Sequence, residues 1–217
     1  MTGACIFDMD GVLIDSGAWH RAAWEALLEE LGAPARQKEF WRLTIGRPAE
    51  EAVPLLLGRS VSEHEVWRIA QRKRELYVEL ARQGTPAIPG APAFVGELVR
   101  RGVPRAVGTS ASRHDVARLL GAVGLRKHFS VVVTSEDVTL GKPDPEVYVL
   151  AARRLGAAPE ACLVFEDSVV GIQAARRAGM RAIGLTTAYP EAELRAAGAE
   201  RAIASFEGMQ WSAFAAP

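Results

Sequence analysis

Asp8 and Asp10 stand two residues apart at the end of a short apolar run, in ACIFDMDGVLIDS. A carboxylate set among apolar neighbours is costly unless something compensates it. Alone, such a pair would read as a turn cap. Three other segments change that reading. Thr109 and Ser110 follow RAVG, Lys142 lies in GKPDP just ahead of a helical pattern, and Glu166 and Asp167 follow CLVF. Each has a plain alternative by itself: an N-cap pair for Thr109 and Ser110, a solvated surface lysine for Lys142, an ion-pair partner for Glu166. If the apolar runs are strands of an open parallel sheet, however, Asp8, the hydroxyl pair and the second acidic pair all sit at carboxyl strand ends. Such sheets gather their functional groups there, and Lys142 can reach the same place from its loop. Crowded carboxylates repel one another unless a cation joins them, and hard oxygen ligands suit Mg²⁺. Because Mg²⁺ keeps waters and accepts phosphate oxygens as further ligands, the group points to phosphoryl chemistry rather than to a structural metal.

These positions require particular elements. From about residue 88 onward, short β-branched or apolar runs alternate with helical patterns: RAVGT and ASRHDVARLLGAVG, SVVVT and DPEVYVLAARRLG, ACLVFED and SVVGIQAARRAG, then RAIGLTT and a Glu/Ala/Arg-rich segment. Repeated β–α alternation predicts a mostly parallel sheet covered by helices on both faces. Helical segments end at Gly124, Gly156 and Gly179, where a left-handed cap costs least. Residues 18–83 carry apolar residues at three- and four-residue spacing and predict a helical insert. Gly17 and GTPAIPG (84–90) mark the outward and return crossings. The fold class expected is α/β, a Rossmann-like, mostly parallel sheet core (1–15 and 88–217) with an inserted helical cap domain (16–87). Within the insert, His20 follows the crossing closely, Arg47 lies in the turn IGRP, and Lys73 sits in RKR; these three are the candidates for reaching substrate. Trp19, Trp24, Trp41 and Trp67 fall at apolar positions of the helical patterns and are expected in the core.

Lys and Arg number 26, as do Asp and Glu, so no overall positive field favours a nucleic acid or an anionic membrane. No apolar run approaches the roughly 20 residues that span a bilayer. Cys5 and Cys162 lie in strand-like apolar runs, and no basic segment precedes a long apolar one at the N-terminus. The expectation is a cytoplasmic protein with reduced, buried thiols.

FDMDGVLIDS, AVGTSAS, GKPDP and FEDS, in that order and spacing, resemble the four successive motifs of the haloacid dehalogenase-like hydrolase superfamily. The resemblance is closest to the subgroup with a helical cap inserted after the first motif, which includes small phosphosugar phosphatases and beta-phosphoglucomutase. It implies that Asp8 is a nucleophile forming an aspartyl-phosphate and Asp10 a general acid and base. It also implies that Asp8, the Asp10 carbonyl and Asp167 hold Mg²⁺ with Glu166 supporting them, while Thr109, Ser110 and Lys142 bind the transferring phosphoryl group. Asp10 would serve if its neighbours keep it partly protonated. His20 and Lys73 resemble cap residues of the phosphomutase, but Ala49 replaces the arginine that enzyme carries there, which leaves a phosphatase as the favoured reading and Arg47 as a substitute cation. A dehalogenase needs neither the metal nor the second aspartate. A regulatory phosphometabolite-binding protein would normally have lost Asp8, Asp10 or Lys142, and all three are present.

Overall fold

The computed structural model describes residues 3–33 and 40–214. Its first strand, β1 (Ala4–Phe7), is buried throughout. The unbroken apolar run ACIF suits a central parallel strand, whose two faces are both covered. Alternation splits it: Cys5 and Phe7 join one apolar cluster, Ala4 and Ile6 the other. The remaining strands are β2 (Arg105–Gly108), β3 (Val131–Val133), β4 (Cys162–Glu166), β5 (Arg181–Leu185) and β6 (Arg201–Ile203). All pairings are parallel, in the order β3-β2-β1-β4-β5-β6. The order reverses between β1 and β4, so a crevice opens at the carboxyl ends of those two strands. Asp8 follows β1, and Glu166 ends β4.

Between β1 and β2 the chain forms α1 (Gly17–Glu30), α2 (Ala49–Leu57), α3 (Glu63–Leu80) and α4 (Ala91–Arg100). Trp24, Leu27 and Leu28 of α1, with Ile69, Leu76 and Tyr77 of α3, are buried within the larger apolar cluster. The two crossings run side by side: Asp15 N–H donates to the Pro86 carbonyl at 2.8 Å, and Ile88 N–H to that of Leu13 at 3.0 Å.

The later helices are α5 (Arg113–Ala122), α6 (Glu146–Leu155), α7 (Val169–Arg177) and α8 (Glu191–Ala196). One sheet face is aromatic. Phe7 stacks on Phe165 with ring centroids 5.0 Å apart, and Phe94 and Phe214 meet Phe165 edge-on. The other face carries small residues, Ala106, Ala151, Ala152, Ala174 and Ala175, around the buried ring of Tyr148. Gly124, Gly156 and Gly179 adopt positive φ, as their place after helical patterns predicts. Cys5 and Cys162 are free and buried, and burial pushes both thiols up. No helix among the described residues is long and apolar enough to cross a membrane.

Two elements lie outside the alternation read from the sequence. α4 precedes the first strand–helix pair recognised there. β6 has only three residues, all half-buried and headed by Arg201, so it lacks an apolar run to announce it. A correction concerns the tryptophans: Trp24 is buried and Trp19 and Trp41 are half-buried, but Trp67 is 59% exposed. At 3.6 residues per turn, Trp67 lies about 120° around α3 from the centre of the buried row Ile69, Ala70, Lys73, Leu76 and Tyr77.

Phe165 touches most of the aromatic cluster and leaves an enclosed void if truncated. Phe165→Ala is expected to cost about 3–5 kcal/mol, read as a lower urea midpoint with an unchanged slope. A loss below about 1 kcal/mol would show that this face does not carry the core.

Candidate active site

Asp8 extends β1, its N–H donating to the Phe165 carbonyl at 3.0 Å, so its carboxylate stands at the floor of the crevice. Lys142 arrives from the loop before α6 and is 1% exposed. Its ammonium lies 3.0 Å from Asp8 Oδ1 and 2.6 Å from Glu166 Oε1. Asp8 Oδ1 has no hydrogen-bond donor of its own among the described residues beyond this ion pair. Glu166, by contrast, is fully committed. Oε1 accepts from Lys142 and from the Tyr148 hydroxyl at 3.0 Å, and Oε2 from the Ser168 N–H at 2.6 Å and hydroxyl at 2.9 Å. Gly171 permits this, since a Cβ there would lie 1.7 Å from Glu166 Oε1. Glu166 therefore fixes Lys142, while the open oxygens belong to Asp8 and Asp167.

The carboxylate oxygens of Asp8, Glu166 and Asp167 lie within 4.8 Å of one another. Three carboxylates against one ammonium leave an excess of negative charge. Burial pushes the Asp8 carboxyl up to about 7, with Glu166 and Asp10 adding to the rise and Lys142 opposing it. Burial, Glu166 and Asp8 hold Asp167 well above the usual carboxylate range. Buried hard oxygens with surplus charge and free lone pairs fit a divalent cation. Gly11 shapes the same place. It turns at φ +71°, and a Cβ there would lie 1.9 Å from Asp167 Oδ2.

Asp10 sits higher in the crevice. Its Oδ1 accepts from the Ser16 hydroxyl at 2.5 Å and from His20 Nε2 at 3.3 Å. Lys73 Nζ lies 2.6 Å from His20 Nδ1, so the ammonium donates there and the ring proton is left on Nε2, facing Asp10. His20 stacks on Tyr77 with centroids 4.2 Å apart. Burial pushes Lys73 down to about 8. Burial and the Lys73 charge lower His20 despite Asp10. Burial alone would raise Asp10, but the hydrogen bonds from His20 and Ser16, with the Lys73 charge, bring it below its ordinary value. The expectation that neighbours keep Asp10 partly protonated thus fails for this arrangement: its contacts favour the carboxylate. Lys73 is also no solvated face residue; it is buried against Trp24 and Tyr77.

Thr109 follows β2 and is buried. Its hydroxyl oxygen accepts from the Ala111 N–H at 3.1 Å, which leaves the hydroxyl proton free to donate into the crevice. Ser110 also lines the cavity, its hydroxyl donating to the Gly46 carbonyl at 3.0 Å. Arg47 lines the cavity and donates to the Leu43 carbonyl at 3.3 Å. The whole space, bounded by the strand ends below and by α1, the 44–51 segment and α3 above, is a cavity of about 830 Å³. Further contacts seat the helical insert on the sheet: Arg42 bridges Glu193 at 3.0 and 3.1 Å, and the Tyr189 hydroxyl donates to the Arg42 carbonyl at 3.0 Å.

The sequence reading missed Ser16, Tyr148, Ser168 and Thr187. Thr187, two residues past β5, was open to the strand-end argument used for Asp8; its hydroxyl donates to the Gly11 carbonyl at 2.7 Å and lies 3.3 Å from Asp167 Oδ2. Ser168 carried an N-cap signal, and it does accept from the Gly171 N–H. Tyr148 had no signal beyond the apolar pattern of α6.

A family model described as haloacid dehalogenase-like hydrolase matches residues 2–179. A chloroplastic 5-amino-6-(5-phospho-D-ribitylamino)uracil phosphatase from Arabidopsis thaliana is 35% identical over 88% of this chain, which spans about half (52%) of that protein. A phosphorylated carbohydrates phosphatase from Thermotoga maritima is 34% identical over 83% of each chain. Among solved structures, a hydrolase from Pseudomonas syringae superposes with a TM-score of 0.85 at 30% identity, covering 92% of both chains. With a match that runs from the strand before Asp8 to the end of α7, the chain belongs to the haloacid dehalogenase-like hydrolase family.

Proposed function

We propose that this protein is a Mg²⁺-dependent phosphatase that hydrolyses a small phosphorylated metabolite through an aspartyl-phosphate on Asp8. The observation that carries the reading is the buried Asp8–Lys142 pair at the floor of a cavity whose walls also hold Asp10, Thr109 and Asp167. Relatives whose names specify phosphatase activity support it. Mg²⁺, which Asp8, the Asp10 carbonyl and Asp167 would hold with Glu166 behind them, supplies neutralisation of the phosphoryl oxygens when bound.

The chain's own groups do the rest. Lys142 and the Thr109 hydroxyl bind phosphoryl oxygens and hold the phosphorus in line with Asp8. Asp8 attacks, the ester P–O bond breaks, and the leaving alkoxide takes a proton from Asp10. The contacts of Asp10 favour its carboxylate in the unliganded protein, so the proton it donates is taken up from solvent or from the phosphate monoester on binding, when a phosphate dianion beside the carboxyl favours the neutral acid. Asp10 then removes a proton from the water that hydrolyses the aspartyl-phosphate. His20 and Lys73 orient Asp10, and residues 16–87 act as a cap that excludes bulk water. The second reading, a sugar phosphomutase, is favoured by one feature, the Arg47 guanidinium on the cavity wall, whose charge also acts on Glu51.

Asp8→Asn is expected to keep the fold, by circular dichroism, and to lose phosphate release, because an amide is a poor nucleophile. Wild-type turnover in that variant would rule out the mechanism. Asp10→Asn is expected to bind Mg²⁺ normally and to lose a factor of roughly 10²–10⁴ in kcat; equal losses of metal affinity and rate would remove Asp10 from proton transfer.

Metal binding should report the carboxylate cluster directly. A carboxyl raised to about 7 keeps its proton at pH 5 and has released it at pH 8, and the proton competes with the cation. The rise in Tm produced by saturating Mg²⁺ over a chelated sample should therefore grow from pH 5 to pH 8. A shift independent of pH would place the metal elsewhere.

Incubation with Mg²⁺ and beta-glucose 1-phosphate, with a bisphosphate activator present, separates the two readings. Free phosphate or no product, with little glucose 6-phosphate, is expected. Glucose 6-phosphate accumulating faster than phosphate would establish the mutase.

A further inference from the structure

The cavity is larger than the phosphoryl site needs. A space of about 830 Å³ lies near the top of the range that encloses drug-sized ligands. Its inner part is accounted for by Asp8, Thr109 and Lys142 below and by His20, Lys73 and Tyr77 above. Its outer part is lined by a different row of α3. Trp67, Gln71 and Arg74 recur at four- and three-residue spacing, which puts them along one stripe of the helix beside the buried row.

None of the three has a structural use that explains it. Trp67 (59%) and Leu140 (58%) are the two most exposed large apolar side chains among the described residues, and both line this cavity. Singly exposed apolar residues are common on any surface, but these two, from the helical insert and from the sheet's loop, both line one cavity. Arg74 makes one weak contact, to Gln71 Oε1 at 3.4 Å, and has no carboxylate partner among the described residues. Gln71 is half-buried, and its amide nitrogen donates to no group among the described residues.

We infer that Trp67, Gln71 and Arg74 form an outer subsite for a planar heterocyclic ring, so the substrate is a phosphorylated sugar or polyol that carries a base-like ring at the end away from its phosphate. The inference rests on the phosphatase reading and narrows its substrate class. An indole face offers stacking to a flat ring. The guanidinium and amide beside it supply donors for the carbonyl or ring-nitrogen acceptors at the ring's edge. A bare sugar phosphate fills the inner part only and leaves this face exposed to water.

Matched esters test this: D-ribose 5-phosphate against uridine 5′-monophosphate and adenosine 5′-monophosphate, which add only the ring. At least one ring-bearing ester should exceed ribose 5-phosphate in kcat/KM by about tenfold. Trp67→Ala should collapse that ratio to below about threefold, and Trp67→Phe should keep most of it. Because Trp67 is exposed, neither change threatens the core. Calorimetric binding of the same three esters to Asp8→Asn with Mg²⁺ is the second arm. Tighter binding of a ring-bearing ester that Trp67→Ala abolishes, with no turnover of any ester, keeps the subsite and overturns the phosphatase reading. Turnover with no ring preference, or a preference that Trp67→Ala leaves intact, overturns the subsite and keeps the phosphatase. No ring dependence in either arm overturns the subsite.

Discussion

Asp8, Glu166 and Asp167 share the dry end of β1 and β4 with a single ammonium, Lys142, and the surrounding structure manages that imbalance. Buried like charges are tolerated only with dense hydrogen bonding or a cation. Glu166 takes the first route, with four donors from Lys142, Tyr148 and Ser168. Asp8 and Asp167 are left for the second. The division is enforced by glycines, because Gly171 lets α7 lie against Glu166 and Gly11 lets the chain pass Asp167. The apolar core serves the same end: stacked Phe7 and Phe165 hold β1 and β4 in register one residue before the two acidic strand ends.

The sheet was legible because a parallel strand buried on both faces leaves an apolar run that little else in a globular chain produces. ACIF, CLVF and RAIGL are all of this kind. β6 was illegible for the converse reason: an edge strand with half-buried residues needs no such run. Asp8, Thr109 and Asp167 could be gathered from the sequence because strand ends converge by topology, and Lys142 because its loop precedes a helix of the same sheet. Contacts made across the cavity could not. The packing of α3 over the crevice decides that Lys73 meets His20 and that Trp67 stays exposed, and the seating of the turn before α2 decides that Ser110 meets Gly46. Helical periodicity gives the buried stripe of α3 but not which neighbour lies beside it.

The reading of Asp10 illustrates the same boundary. A second aspartate two residues past the first is visible at once, and its position near a leaving group follows from the chain. Its charge state does not. That depends on His20 and Ser16, which belong to α1 and its cap position, and on Lys73, more than fifty residues further along. The helical insert thus shapes the chemistry of the sheet's own carboxylate as well as the volume above it.

Gly46 is one of the points where insert and sheet meet closely. Its carbonyl holds the Ser110 hydroxyl, and a Cβ there would lie 2.5 Å from Ser168 Oγ, the group that fixes Glu166 and through it Lys142. The residue beside Thr109 and the brace behind Lys142 therefore both lean on one short loop. Free-energy coupling between two events is reciprocal. Whatever ligand strengthens the seat of that loop must itself be bound more tightly when the loop is seated. That seating is open to tuning at position 46 without touching a reacting atom.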